Sequence, residues 1–196
     1  MQRWGWGLLL LGGILLAHAA GELGAARTAQ RHLWHKYRGQ AQAQVLPQPA
    51  AVKDSPEVTQ WHPAAPVCCL LDIPRLHLRA VVLQGTTEAV LAQAPGHLPG
   101  SAAPGATGNM VISAHNVLFF RHLDLLRPGD PVYLTAGGHR FVYVVQRSRV
   151  VRVDGGSIVM DPLPPTLTLT TCYPLDGAIL HPPWRFVVTA RLQGRA

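Results

Sequence analysis

Along the second part of the chain, apolar and polar positions alternate in short runs broken by turn residues. In TLTLTTCYP, Thr166 to Pro174, threonine and leucine take turns until Cys172, where Tyr173-Pro174 ends the run. Period two is the pattern of a half-buried strand, because successive side chains point to opposite faces, and proline removes a ladder donor. Read the same way, the chain predicts strands over 67–73, 76–83, 109–114, 131–136, 140–146, 150–153, 166–172 and 184–192. Turn signals separate them, among them Ile73-Pro74-Arg75, Arg127-Pro128-Gly129-Asp130 and the hairpin pair Gly137-Gly138. One short helix is expected over 117–126, where Leu118, Phe119, His122, Leu123 and Leu126 form an apolar-leaning stripe. So many short strands in residues 67–196, with no alternating helices, predict an all-β fold: a closed eight-stranded barrel with one or two short helices. No glycine-rich phosphate loop or dinucleotide fingerprint is present.

Upstream the texture differs. From Trp4 to Gly21 there is no Lys, Arg, Asp or Glu, a run of 18 residues, close to the roughly 20 that a spanning helix needs. Ala17-His18-Ala19 has the small-x-small form of a leader cleavage site, whereas Trp4 and Trp6 suit an interfacial belt. Either way the chain reads as exported. The favoured expectation is a signal-anchor helix over 1–21, single-pass in the cell membrane, with the rest on the extracytoplasmic face. Residues 22–66 then form a polar juxtamembrane helix to Gly39 and a Gln/Ala/Pro-rich spacer to Pro66. Residues 67–196 are the folded domain.

Composition narrows the class. With 48% hydrophobic and 14% charged residues, 196 residues suffice for one sizeable core under a lightly charged surface. The net charge of +7 is scattered and forms no aromatic-interleaved basic stripe, which argues against nucleic acid as a partner. Three cysteines make no closed disulfide framework, and no C-x-x-C pair suggests zinc. Cys68 and Cys69 lie in the apolar run VCCLL and read as packing residues. On a regular strand they would face opposite ways, so a bridge between them would be strained.

Cys172 is left as a candidate thiol, and two other residues share its kind of position. Most of the ten histidines read as loop or tail residues, but His115 ends the run NMVISAH. Arg185 stands near the start of WRFVVTAR. A thiol attacks an acyl carbon as the thiolate, and an ordinary cysteine with pKa about 8.5 is mostly protonated at neutral pH. An imidazole takes that proton and later delivers it to a leaving amine. A guanidinium binds a developing oxyanion or the substrate backbone. Thr171, beside the thiol, adds a hydroxyl to orient substrate or arginine. Spacing alone also allows each of these residues a purely structural role.

The run TLTTC, Thr168 to Cys172, resembles the TLxTC signature of sortases, cysteine transpeptidases that attach surface proteins to cell walls or polymerise pilins. The resemblance extends through IPRLHL (Ile73 to Leu78), GHLPGS (Gly96 to Ser101), GNMVISAH (Gly108 to His115), FFRHLDLLRPGD (Phe119 to Asp130) and RFVVTARL (Arg185 to Leu192). It is strongest toward class D sortases, with the proteobacterial sortases as neighbours. It implies Cys172 as nucleophile, His115 as acid/base and Arg185 as oxyanion and substrate stabiliser. The family usually has Gly before the histidine and often Arg or Thr after it. Here Ala114 and Asn116 stand there, and with Thr171 they are the expected substrate-wall residues.

The implied partners are exported proteins with a C-terminal Leu-Pro-x-Thr-Gly-like signal, and an amine acceptor, either a peptidoglycan precursor or a pilin lysine. No cofactor is implied, and the seven acids of the domain are scattered singly, so no metal is expected. The order His, Cys, Arg is unlike papain-like wall peptidases, whose cysteine precedes the histidine. The alternative is an exported β-barrel binding module without catalysis.

Overall fold

The computed structural model describes residues 21, 24–38, 67–153, 164–176 and 182–195. A helix, α1, covers 24–38. The strands are β1 (Val67–Ile73), β2 (Leu78–Gln84), β3 (Gly96–His97), β4 (Asn109–Ser113), β5 (Pro131–Ala136), β6 (His139–Arg152), β7 (Thr166–Tyr173) and β8 (Trp184–Arg195), with a one-turn helix α2 (Glu88–Leu91) between β2 and β3. They close into a barrel in the order β1-β2-β3-β4-β7-β8-β6-β5, sealed by the antiparallel pairing of β1 with β5.

The threonine–leucine alternation explains β7. Leu167 and Leu169 are fully buried inside the barrel, packed with Met110 and Ile112 of β4 and Val188 and Ala190 of β8. The other parity, Thr168, Thr170 and Cys172, therefore takes the opposite, outward face. β7 is a central strand, parallel to β4 on one side and antiparallel to β8 on the other. The parallel pairing holds its end in place against a neighbour distant in sequence.

The predicted segments differ from the observed ones in instructive places. β2 starts two residues later than expected, because Pro74–Leu76 forms a 3-10 turn closed by His77 in the left-handed region (φ 48°). The predicted strands 140–146 and 150–153 are one strand, β6, which shifts register against β8 between Val145 and Arg147 and continues. The polar stretch Arg147-Ser148-Arg149 looked like a break because its side chains are exposed, yet its backbone still pairs with Val187–Thr189. β3 has two residues, too few to show periodicity. The helix expected over 117–126 is instead a series of turns with one 3-10 segment, Leu123–Leu125. Its apolar residues Phe120, Leu123 and Leu126 are buried in the barrel core, so burial rather than helical amphipathicity set their spacing.

Cys68 and Cys69 correct a second expectation. A bulge between Val67 and Cys69 breaks the alternation, and both thiols are buried in the same core with sulfurs 3.7 Å apart. Both are free, and burial pushes the Cys69 thiol well above its ordinary pKa, reinforced by the neighbouring Cys68 thiol. Their role is packing.

α1 docks on the barrel wall. Its Leu33 packs with Val67, Leu70, Val81, Leu83 and Ala94, beside Trp34 and Tyr37. Gln30 accepts from the Val81 amide (3.0 Å) and donates to the Val81 and Gln93 carbonyls, and Tyr37 Oη donates to the Thr135 carbonyl (3.3 Å). The hydrophobic helix expected over 1–21, apart from Gly21, and the spacer over 40–66 lie outside the described residues. Among the described residues no helix is long and apolar enough to cross a membrane.

His97 departs from the expectation that histidines other than His115 occupy loops. It sits in β3 with no exposed surface, its Nδ1 2.9 Å from Gln84 Oε1 and its Nε2 2.9 Å from Ser101 Oγ and 3.0 Å from the Ala102 carbonyl. Ser101 Oγ in turn accepts from the Val111 amide, so this network ties β3 and its following turn to β4. Burial lowers the His97 pKa, partly offset by the Ala102 carbonyl. The unfolded chain therefore takes up this proton at higher pH than the folded one. The contribution of His97 to stability is complete above about pH 6.5 and declines as pH falls toward its lowered folded value. Thermal unfolding between pH 7.5 and 5 should show a steeper loss of Tm on acidification for the native chain than for His97→Gln. Parallel profiles would sink this reading.

Candidate active site

Three neighbouring strands bring the predicted trio together. β4 and β7 run parallel with Ser113 opposite Thr170, so His115, two residues past the end of β4, follows the strand beside the one in which Cys172 still pairs. β7 and β8 run antiparallel with Cys172 directly opposite Arg185. Directly opposed residues on an antiparallel pair share one face, with Cβ atoms roughly 5 Å apart. The register thus puts Cys172 on a strand between the one that carries Arg185 and the one that leads to His115, at one end of the barrel and on its outward face. Cys172, His115 and Arg185 are all partly exposed, as groups that meet a substrate must be.

The loops that carry them are tied together. The Ala114 amide donates to the Thr170 carbonyl (3.2 Å), and Thr171 Oγ1 donates to the Ala114 carbonyl (2.7 Å). Asn116 Nδ2 donates to the Pro174 carbonyl (2.7 Å), which joins the turn after the histidine to the turn after the cysteine. Thr171, Ala114 and Asn116 are all buried, and the Thr171 hydroxyl and the Asn116 amide are spent on backbone carbonyls. These two side chains clasp the turn after the histidine to the end of β7 and the turn beyond it. The Thr170 hydroxyl, on the outward face with Cys172, is buried with no hydrogen-bond partner among the described residues.

His115 Nε2 lies 3.1 Å from Glu88 Oε1, a carboxylate on α2 that is largely solvent-exposed. The Leu118 and Phe120 amides donate to the His115 carbonyl and wind the following turn tightly around it. Arg185 Nη1 donates to the Pro182 carbonyl (2.6 Å) and the Trp184 carbonyl (3.0 Å). That anchors one arm of the guanidinium, while Nη2 and Nε keep three donors that these bonds do not use. Val117, Tyr173 and Trp184 are exposed apolar residues near the trio in sequence. Tyr173 and Trp184 are paired with each other one position on from Cys172 and Arg185 and so take the opposite face of the sheet, where Tyr173 stacks on Phe186.

Sequence reasoning did not find the contact between Glu88 and His115. Glu88 is 27 positions from His115, and nothing in the local pattern around GTTEAV signals the contact. As chemistry, the arrangement offers a nucleophile, a proton carrier and a fixed cation to one acyl group.

Residues 71–193 match the family model of the sortase domain. The chain belongs to the sortase family. Members of that family are cysteine transpeptidases. Sortase D of Bacillus subtilis (strain 168) is 29% identical over 120 residues, which are 61% of this chain and 60% of that protein. A Clostridium perfringens sortase D5 transpeptidase of known structure superposes with a TM-score of 0.58 at 28% identity, covering 65% of this chain and 79% of that one. A Clostridium perfringens sortase C, solved with the C-terminal cell wall sorting motif, gives 0.58 at 27% identity, covering 65% of this chain and 71% of that one. This sortase thus shares the barrel with class D and class C relatives.

Proposed function

We propose that this sortase is a cysteine transpeptidase that cleaves a Leu-Pro-x-Thr-Gly-like signal on exported proteins and joins the threonine carbonyl to an amine. One observation carries the reading: Cys172 is directly opposite Arg185 on β8, His115 follows β4, the parallel neighbour of β7, and all three are partly exposed. Cys172 passes its proton to His115, and the thiolate attacks the threonine carbonyl carbon. The free donors of Arg185 receive the oxyanion. The carbon–nitrogen bond breaks as His115 protonates the departing glycine amine, leaving a thioester on Cys172. An incoming amine then attacks that thioester and yields its proton to His115, and the cysteine thiolate departs. The structure of a sortase C with a sorting motif supports a substrate of this class.

The acceptor is the amine of a peptidoglycan precursor or a pilin lysine. Residues 1–21, with their uncharged run, anchor the chain in the cell membrane with the barrel on the extracytoplasmic side.

Intact-mass analysis of the protein with a Leu-Pro-x-Thr-Gly peptide should show a thioester-linked adduct on the Cys172 peptide. Hydroxylamine should release it as the threonine hydroxamate. Cleavage with no adduct, or an adduct on Cys68 or Cys69, would refute the assignment.

A further inference from the structure

Beside the barrel wall, α1, β2 and the turn after His115 line an open cavity of about 430 Å³, with Ala26, Arg27, Gln30, Arg31, Trp34, Arg79, Leu118 and Phe119 around it. Three of the lining side chains are arginines and none is acidic. No ion pair among the described residues involves Arg27, Arg31 or Arg79. Arg79 instead lies over the Trp34 ring, 5.0 Å from its centroid. Its planar group is thereby steadied on a face that adds apolar area. All three arginines are exposed, and Asp72, directly opposite Arg79 on β1, lies 3.8 Å from Arg140, so the lining presents a net positive face that draws an anion.

The lining has two halves. Arg27, Arg31 and Arg79 supply guanidinium forks, whose geometry matches phosphate oxygens in pairs. Trp34, Leu118, Phe119 and Ala26 supply an apolar side. A free inorganic anion uses only the first half. A phospholipid headgroup uses both, because its phosphate is joined to glycerol and acyl carbons, and tryptophan with arginine is a pairing suited to that boundary. The place in the chain agrees. Arg27 and Arg31 are six and ten residues beyond Gly21, where the uncharged run ends.

We propose that this cavity binds the phosphate of an anionic phospholipid headgroup and so seats the barrel on a membrane surface. Two of its lining residues, Leu118 and Phe119, follow His115 by three and four positions, and the Leu118 amide is bonded to the His115 carbonyl. A seated headgroup therefore bears directly on the turn that holds the imidazole. The proposal is independent of the transpeptidation chemistry, and its test does not read activity.

The full chain in neutral detergent is titrated by calorimetry with short-chain phosphatidylglycerol, short-chain phosphatidylcholine and inorganic phosphate. The same titrations are run on Arg27→Gln/Arg31→Gln and on Arg149→Gln, a β6 arginine away from the cavity. Phosphatidylglycerol should bind saturably and at least ten-fold tighter than phosphatidylcholine. The double variant should lose about 25-fold in affinity, on the scale of roughly five-fold per arginine at an anionic lipid surface. Arg149→Gln should bind as the native chain does, and all three proteins should unfold at similar temperatures. Equal binding of the two lipids, an unchanged double variant, or inorganic phosphate binding as tightly as phosphatidylglycerol would each overturn the proposal.

Discussion

Cys172→Ala should abolish cleavage and transfer of a Leu-Pro-x-Thr-Gly peptide, while circular dichroism and the unfolding temperature stay close to native. The thiol is partly exposed at the end of β7 and is not part of the buried core, so its removal opens no core cavity. His115→Ala should reduce turnover by about 10²- to 10⁴-fold, the range that a positioned acid/base supplies. Cys68→Ser and Cys69→Ser provide the contrast. Both thiols lie in the core, so each serine buries a hydroxyl and lowers stability, but neither touches the reacting face. Those variants should unfold earlier and still turn over. Activity in folded Cys172→Ala, or its loss in a folded Cys68→Ser, would place the nucleophile elsewhere.

Arg185→Lys should be nearly as damaging to turnover as the loss of the acid/base, despite the retained charge. The native guanidinium anchors one nitrogen on the carbonyls of Pro182 and Trp184 and holds its remaining donors in a fixed plane. An ammonium is a single point on a flexible stem, and binding the same carbonyls occupies its only nitrogen. Losing one preorganised oxyanion donor costs on the order of 3 kcal/mol, about a hundred-fold in rate. Steady-state kinetics should show this fall in kcat, while alkylation of Cys172 by a small electrophile proceeds at a near-native rate. A loss below about three-fold would retire Arg185 from the reacting centre and leave it as a loop anchor.

The three strands that carry or lead to the trio were legible in the sequence because each has a strong local pattern. TLTL alternates from Thr166 to Leu169, NMVISAH opens on the apolar run Met110 to Ile112, and WRFVVTAR begins at a proline break. Period two is a property of the strand itself, so it survives without knowledge of any partner. β5 shows the same alternation and β1 is a short apolar run between turn signals, and the bounds of both match the observed ones. The closed eight-stranded barrel was also reached, although by a different set of strands: β6 absorbed two predicted segments and β3 supplied one that was not predicted.

Tertiary structure alone decided the rest, in each case because the deciding partner is remote. β3 exists because Leu83 and Gln84 pair with it on one side and Ile112 and Ser113 on the other, which no two-residue pattern encodes. The 117–126 stripe satisfies helical spacing, yet the barrel end buries Phe120, Leu123 and Leu126 from a chain of turns. A bulge set by pairing with β2 turned Cys68 and Cys69 to the same side, against the alternation of a regular strand. Thr171 and Asn116 were placed near the site by sequence, but only the packing of two loops showed that their polar atoms bind those loops together. Local alternation thus determined which residues end the strands. Which of those ends meet, and what Glu88 and α1 lay beside them, followed from the closure of the barrel.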